Sequence, residues 1–275
     1  MIVDLRVHSM AQLASAVAIL ALTFSGTANA VSNEAHLTKV VHDVRLRGST
    51  VPLHQASLNE RVLEGVSVLT GAQSRAELTF SDQTTARLGA STAFRFRNAA
   101  HSLDLTQGAL LLQVPDNVGD IQVHTPSFAA AVAGTTTVFE SHPAFYKFLV
   151  LTGTARLYRP DRVGDSVLVR AGQLVIGRPN ANVSDPVDFD IGRFVKTCPL
   201  ITDFRPLHSQ GLMTADSGRQ QREKSEKVLI DTNLVILGGG TLVSLVDPNQ
   251  IDAAMPPKPT QSAKKTSEYV KKTPP

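Results

Sequence analysis

The chain has no tryptophan, three tyrosines and a single cysteine among its 275 residues. One cysteine cannot close an internal disulfide, and no repeated Cys/His spacing supports a structural zinc site. Lysine and arginine number 27 against 24 aspartates and glutamates, a formal charge of +3. That excess is too small to argue for a nucleic-acid partner. Neither a Gly-x-Ser-x-Gly elbow nor His-Glu-x-x-His or His-x-His occurs, so the local signatures of serine and zinc hydrolases are missing. The 42% hydrophobic content excludes wholesale disorder.

Residues 1–30 read as a secretory leader. Arg6 and His8 give a modest basic start, Met10 to Phe24 supply an apolar stretch, and Ala28-Asn29-Ala30 fits a small-x-small cleavage site. Cleavage after Ala30 would leave a periplasmic or secreted protein. No later segment approaches the roughly 20 consecutive apolar residues that a membrane helix needs.

From Leu37 to Gly177 the dominant period is two: Ala76-x-Leu78-x-Phe80, Phe94-x-Phe96, Leu103-x-Leu105, Leu110-x-Leu112-x-Val114, Ile121-x-Val123 and Val167-x-Val169. Such alternation sends one set of side chains to one face of a strand. Turn formers separate the runs at Ser81-Asp82-Gln83, Asn98-Ala99-Ala100, Pro115-Asp116-Asn117 and Gly153. Many short strands at this spacing predict an all-β domain over 37–178, either a coiled, β-helix-like roll or a sandwich. The glycines at 65, 71, 108, 134, 153 and 172 close apolar runs, where positive φ or close strand approach is needed.

The region 179–254 reads as an extension. Residues 178–215 carry four prolines amid weak periodicity and read as an extended covering segment or linker. Arg219 to Lys227 suits a short exposed helix, and Leu234–Leu237 with Thr241–Val246 across Gly238-Gly239-Gly240 suits an apolar hairpin. Residues 255–275 hold five prolines and five lysines against one glutamate, the composition of a disordered tail. Each lysine could add up to about 1 kcal/mol of attraction near an anionic surface.

Several motifs in order resemble the FecR domain, a bacterial envelope module, over roughly residues 39–178. They include Val62-Leu63-Glu64-Gly65 onward, Ser74-Arg75-Ala76-Glu77-Leu78-Thr79-Phe80-Ser81-Asp82-Gln83-Thr84, Leu103-Asp104-Leu105-Thr106-Gln107-Gly108, Ile121-Gln122-Val123-His124-Thr125-Pro126, Val132-Ala133-Gly134-Thr135 and Val169-Arg170-Ala171-Gly172-Gln173. Gln83 stands where the family usually has glycine, which predicts another turn geometry there. Thr137 replaces a usual Phe, with Phe139 two residues on. The best-known relatives regulate sigma factors through a cytoplasmic helical segment and one membrane helix. A leader in their place argues against carrying that role over.

Residue by residue, the chemistry stays bland. His42, His54 and His124 show no ligand spacing. Asp82, Asp116, Asp161 and Asp165 lie in turns that favour aspartate for local reasons, and Asp104, between Leu103 and Leu105, is expected to face solvent. Paired acids among these and Asp120 would be needed for a glycan-active enzyme, the alternative reading. Cys198 reads as a buried thiol, with pairing between chains as the sharper option. The favoured function is a non-enzymatic interaction or scaffold module, without cofactor or metal, that binds an envelope protein or cell-wall glycan. Its expected contact loops contain Ser81, Asp82, Gln83, Asn98, His101, Asp161 and Asp165. A signalling relay to a separately encoded membrane partner is the third reading.

Overall fold

The computed structural model describes residues 34–50, 52–97 and 101–223. The leader, the apolar hairpin and the basic tail read from the sequence lie outside the described residues.

Among the described residues, seventeen strands form one hydrogen-bonded network folded into two sheets that share a single strand. The first sheet runs in the order β4 (Arg61–Leu63), β1 (Glu34–Val41), β6 (Arg75–Phe80), β7 (Thr85–Leu88), β9 (Ser102–Gln113), β12 (Thr136–Ser141), β13 (Tyr146–Thr152), β16 (Gln173–Gly177) and β17 (Val187–Asp188). The second runs β3 (His54–Gln55), β2 (Val44–Arg47), β5 (Ser67–Thr70), β8 (Ala93–Arg97), β9, β10 (Ile121–His124), β11 (Ala129–Val132), β14 (Thr154–Arg159) and β15 (Arg162–Arg170). Every neighbouring pair is antiparallel except β9 with β10. Of the two all-β alternatives, the chain adopts the sandwich.

The chain passes repeatedly from one sheet to the other through tight corners. Gly108 shows why. It breaks β9 into a half that pairs with β8 and β10 and a half that pairs with β7 and β12. Its φ is +91° and a Cβ there would lie 2.5 Å from Thr92 Cα. Only glycine meets both demands. Four of the other five glycines noted above also have positive φ, while Gly71 instead lies against Asp43.

The alternating residues meet between the sheets, as their period requires. Leu37, Leu78, Phe96, Leu105, Leu112, Val123 and Leu157 are among the residues wholly removed from solvent there. Phe128 lies 4.6 Å from Tyr146 and Phe139 lies 5.0 Å from Phe148, ring centre to ring centre. Such pairs add about 0.5–1.5 kcal/mol each beyond their area. Phe139 thus supplies the core aromatic that Thr137 does not.

Residues 178–215 fold into more than the extended cover their prolines suggest. They contain α1 (Ile191–Thr197), α2 (Pro199–Thr202) and the start of α3 (Gln210–Glu223). Asp190 caps α1 by accepting from the Arg193 backbone N–H at 2.9 Å, and Pro199 opens α2. Helices of seven and four residues are too short to leave a periodic signal. The helix expected from Arg219 begins nine residues earlier and is not wholly exposed. Met213 is buried, and Gln220 bonds both Phe189 C=O and Ile191 N–H. These elements cover the outer face of the first sheet, where Leu111, Val138, Leu149 and Leu174 meet Phe194, Leu200, Ile201 and Phe204. Strands β12 and β13 are therefore buried on both faces, while the second sheet keeps one face open.

Candidate functional site

The residues expected as contact loops fall at two opposite ends of the sandwich. Gln113 pairs with both Thr85 and Thr136, so the β6–β7 turn at Ser81–Gln83 lies beside the β11–β12 corner. Ser102 pairs with Gln122, which in turn faces Ala131, and this brings His101 to the same end. Asp161 and Asp165 belong to the β14–β15 hairpin, whose tip lies beyond Tyr158 and Ala129 at the far end. Asn98 lies outside the described residues.

Asp82, Gln83, His101, Asp161 and Asp165 each have a local partner. Asp82 Oδ1 accepts the Thr84 backbone N–H at 2.8 Å, the Asx turn its position suggested. Gln83 has φ +69°, so the turn keeps the left-handed conformation that glycine favours, and the expectation of a different geometry is corrected. His101 Nδ1 is 3.3 Å from Asp120 C=O. Asp161 takes Arg159 Nε and Nη2 at 2.9 and 2.5 Å, and that hydrogen bonding lowers its pKa. Asp165 accepts the Val183 N–H at 3.2 Å.

The other candidates also stay apart. His42 Nδ1 meets Gln73 C=O at 2.9 Å, while His54 Nε2 meets Glu60 at 2.7 Å. Among the described residues no three His, Cys, Asp or Glu are grouped to hold a metal. Asp104 faces outward but is held at 3.0 Å by Arg95 Nη2 and at 2.8 Å by Arg97 Nη2. Burial alone would raise its pKa, yet hydrogen bonds from Arg97 and Arg95 outweigh that and hold it below the usual aspartate value. Cys198 is fully buried, and desolvation pushes its thiol up to about 12. Pairing between chains is closed to a thiol so placed.

The open face of the second sheet is arginine-rich. Arg45 and Arg47 on β2 flank buried Leu46, Arg95 and Arg97 on β8 flank buried Phe96, and Arg156 on β14 sits between buried Ala155 and Leu157. The alternation that buries the apolar residues turns all five guanidinium groups to the same solvent face. Registers make Arg47 and Arg95 neighbours, since Ser67 of β5 pairs with both, while Arg156 stands farther along the same face, on β14, beyond β9, β10 and β11. Asp43 and Asp104 each take arginine hydrogen bonds here. At the margin, β15 pairs with β14 and with no other described strand, and its Leu168 is 37% exposed. The Arg-x-Arg doublets at 45–47 and 95–97 were a visible signal of this face within the period-two pattern.

Under the helical cover lies a second charged set without a sequence signal. Arg87 is 2% exposed, yet it bonds Glu77 Oε2 at 2.7 Å, Leu200 C=O at 3.0 Å and Arg205 C=O at 2.6 Å, with its guanidinium 4.8 Å from the Phe204 ring centre. Lys39 also reaches across to the Asp203 carbonyl, and Arg75 pairs with Asp203 at 3.1 Å. Glu140 and Lys147, both fully buried, form an ion pair at 3.2 Å.

The family model described as FecR protein matches residues 66–156. Two crystal structures of a proposed anti-sigma factor from Parabacteroides distasonis ATCC 8503 are similar, at 13% and 12% identity and a TM-score of 0.41 each. The matches cover 62% and 61% of this chain and 80% and 95% of those chains. No curated protein matches the chain.

Proposed function

We propose, from the match of residues 66–156 to the family model described as FecR protein, that the chain is a non-enzymatic interaction module of the bacterial envelope. Its working surface is the open face of the second sheet, and its partner is a protein with an acidic surface. The observation that carries this reading is the set of five arginines on that face, three of which hydrogen-bond Asp43 or Asp104.

Arginine suits such a surface because its planar fork binds carboxylates through two hydrogen bonds and desolvates more readily than lysine. The strands beneath fix the spacing, so the partner meets a rigid charge pattern rather than a mobile patch. The outermost strand β15 adds an edge with main-chain groups available to a partner strand. Asp161 and Asp165 at its hairpin limit that approach at one end. Four of the six aspartates that a glycan-active enzyme would draw on are instead engaged in holding turns and arginines: Asp82, Asp104, Asp161 and Asp165. The sequence reading of residues 1–30 as a secretory leader supports an envelope location, and no helix among the described residues is long and apolar enough to cross a membrane.

The test places a photo-crosslinking residue at Leu168 in cells and compares the intact chain with R47E/R156E. The expected result is one protein adduct, lost on charge reversal and weakened by salt as ionic contacts require. An adduct unaffected by reversal, or capture of glycan alone, overturns the reading.

A further inference from the structure

At the end of the sandwich bearing the β6–β7 turn, the two halves of the fold and the start of α3 enclose a cavity of about 380 Å³. That volume is in the range of small-molecule sites. Gln113, Thr135 and Thr136 form its inner wall, with Gln83, Asp116 and His208 nearer the mouth. Gln113 and Thr135 are 4% and 2% exposed. Gln113 Oε1 and Thr135 Oγ1 have no hydrogen-bond partner among the described residues. Neighbouring groups are satisfied: Thr135 C=O accepts Val114 N–H at 2.8 Å, and Thr136 Oγ1 donates to Ser209 Oγ at 2.7 Å. Buried polar atoms are almost always paired, so two unmet oxygens on one cavity wall point to something that enters it.

The wall also limits the chemistry of that occupant. Gln113 Oε1 can only accept, so it needs an N–H or O–H donor. Asp116 is the only carboxylate in the lining, and neither lysine nor arginine lines the cavity among the described residues. His208 is the one lining side chain among the described residues that can carry positive charge, and it is matched by Asp116, beside which an ammonium would be favoured. Gln83 lines the same mouth with φ +69°, a strained conformation that keeps an amide where glycine would put none. We infer that this cavity binds a small hydroxylated amine, with its ammonium against Asp116 and its donors on Gln113 Oε1 and Thr135 Oγ1.

Three sugars of one shape and different charge test this on the full chain: D-glucosamine, D-glucose and D-glucuronate, each followed by ligand-observed NMR titration. Glucosamine should bind most tightly, glucose more weakly and glucuronate not at all. Thr135→Val, which keeps shape and removes the hydroxyl, should weaken glucosamine about tenfold, the worth of one good hydrogen bond. Asp116→Asn, at an exposed position, should abolish the preference for glucosamine over glucose while leaving the melting temperature unchanged. Equal binding of all three sugars, no binding of glucosamine, tighter glucuronate binding, or a preference that survives Asp116→Asn would overturn the assignment. Because the arginine face lies elsewhere, R47E/R156E should leave glucosamine binding intact, which separates failure here from failure of the partner surface.

Discussion

Replacing Arg87 with methionine tests whether the helical cover is held by charge or by apolar packing alone. The guanidinium is 2% exposed and its partner Glu77 13% exposed, so the pair is largely out of water. Burial pushes the Arg87 pKa down, while the Glu77 contact works the other way. Methionine keeps the stem against Phe204 but leaves the Glu77 carboxylate without its cation and two carbonyls, Leu200 and Arg205, unmet. Breaking a buried pair from one side costs about 3–5 kcal/mol. Glu77 also accepts from Thr38 Oγ1 at 2.8 Å, which places the expected loss near the low end, about 3 kcal/mol. For a domain of this size that corresponds to a fall in Tm of roughly 6–12 °C. Removing the stranded charge as well, in R87M/E77Q, should recover part of the loss, because the two substitutions share one interaction. Urea unfolding of the wild type, R87M, E77Q and R87M/E77Q gives the coupling, and amide exchange gives its location. Exchange should quicken at residues 199–207 before the sandwich is affected. The reasoning is refuted if R87M costs less than about 1 kcal/mol, or if exchange at 199–207 is unchanged. Leu200, Ile201 and Phe204 would then hold the cover by themselves.

Other outcomes follow from single sites. Gln83→Gly should stabilise the chain by about 0.5–1 kcal/mol, since left-handed backbone costs a side-chain residue about 1–2 kcal/mol and glycine returns about 0.5–1 in unfolded-state entropy. A lower urea midpoint would mean that the Gln83 side chain contributes more than its strain costs. Asp104 has a folded pKa below its unfolded one, so its contribution is fully present above about pH 4 and lost as pH falls through the folded value. The stability difference between wild type and Asp104→Asn should therefore shrink on acidification below about pH 4, and a difference that grows there would contradict the arginine pairing. Cys198, buried with a thiol pKa near 12, should resist iodoacetamide in the native chain and react fully in denaturant. Native labelling at the rate of a small free thiol would place it at the surface.

Local sequence carried the strands because alternation is a property of neighbouring residues. Ala76, Leu78 and Phe80 face the core for the same reason that Arg75, Glu77 and Thr79 do not. Glycine placement likewise announced the corners, and the aspartate of the β6–β7 turn behaves as its local chemistry requires. The resemblance to the FecR domain rests on the same short-range motifs. Everything that depends on two distant segments meeting was beyond that reach. Arg87 occupies an outward strand position that period two assigns to solvent, and only residues more than a hundred positions later bury it. Glu140 and Lys147 lie seven residues apart, yet their burial comes from helices too short to show a period. The arginines of β2, β8 and β14 become one surface only through pairing in the second sheet. Gln113 and Thr135 look like ordinary strand polar residues, and they become unmet groups on one wall because the β9 end, the β11–β12 corner and the start of α3 converge. The sequence by itself therefore determined which residues face inward and where the chain turns, because both are decided within a few bonds. Tertiary structure alone decided which faces are covered and which polar groups are left without a partner, because burial and hydrogen-bond satisfaction are set by whatever packs across the gap.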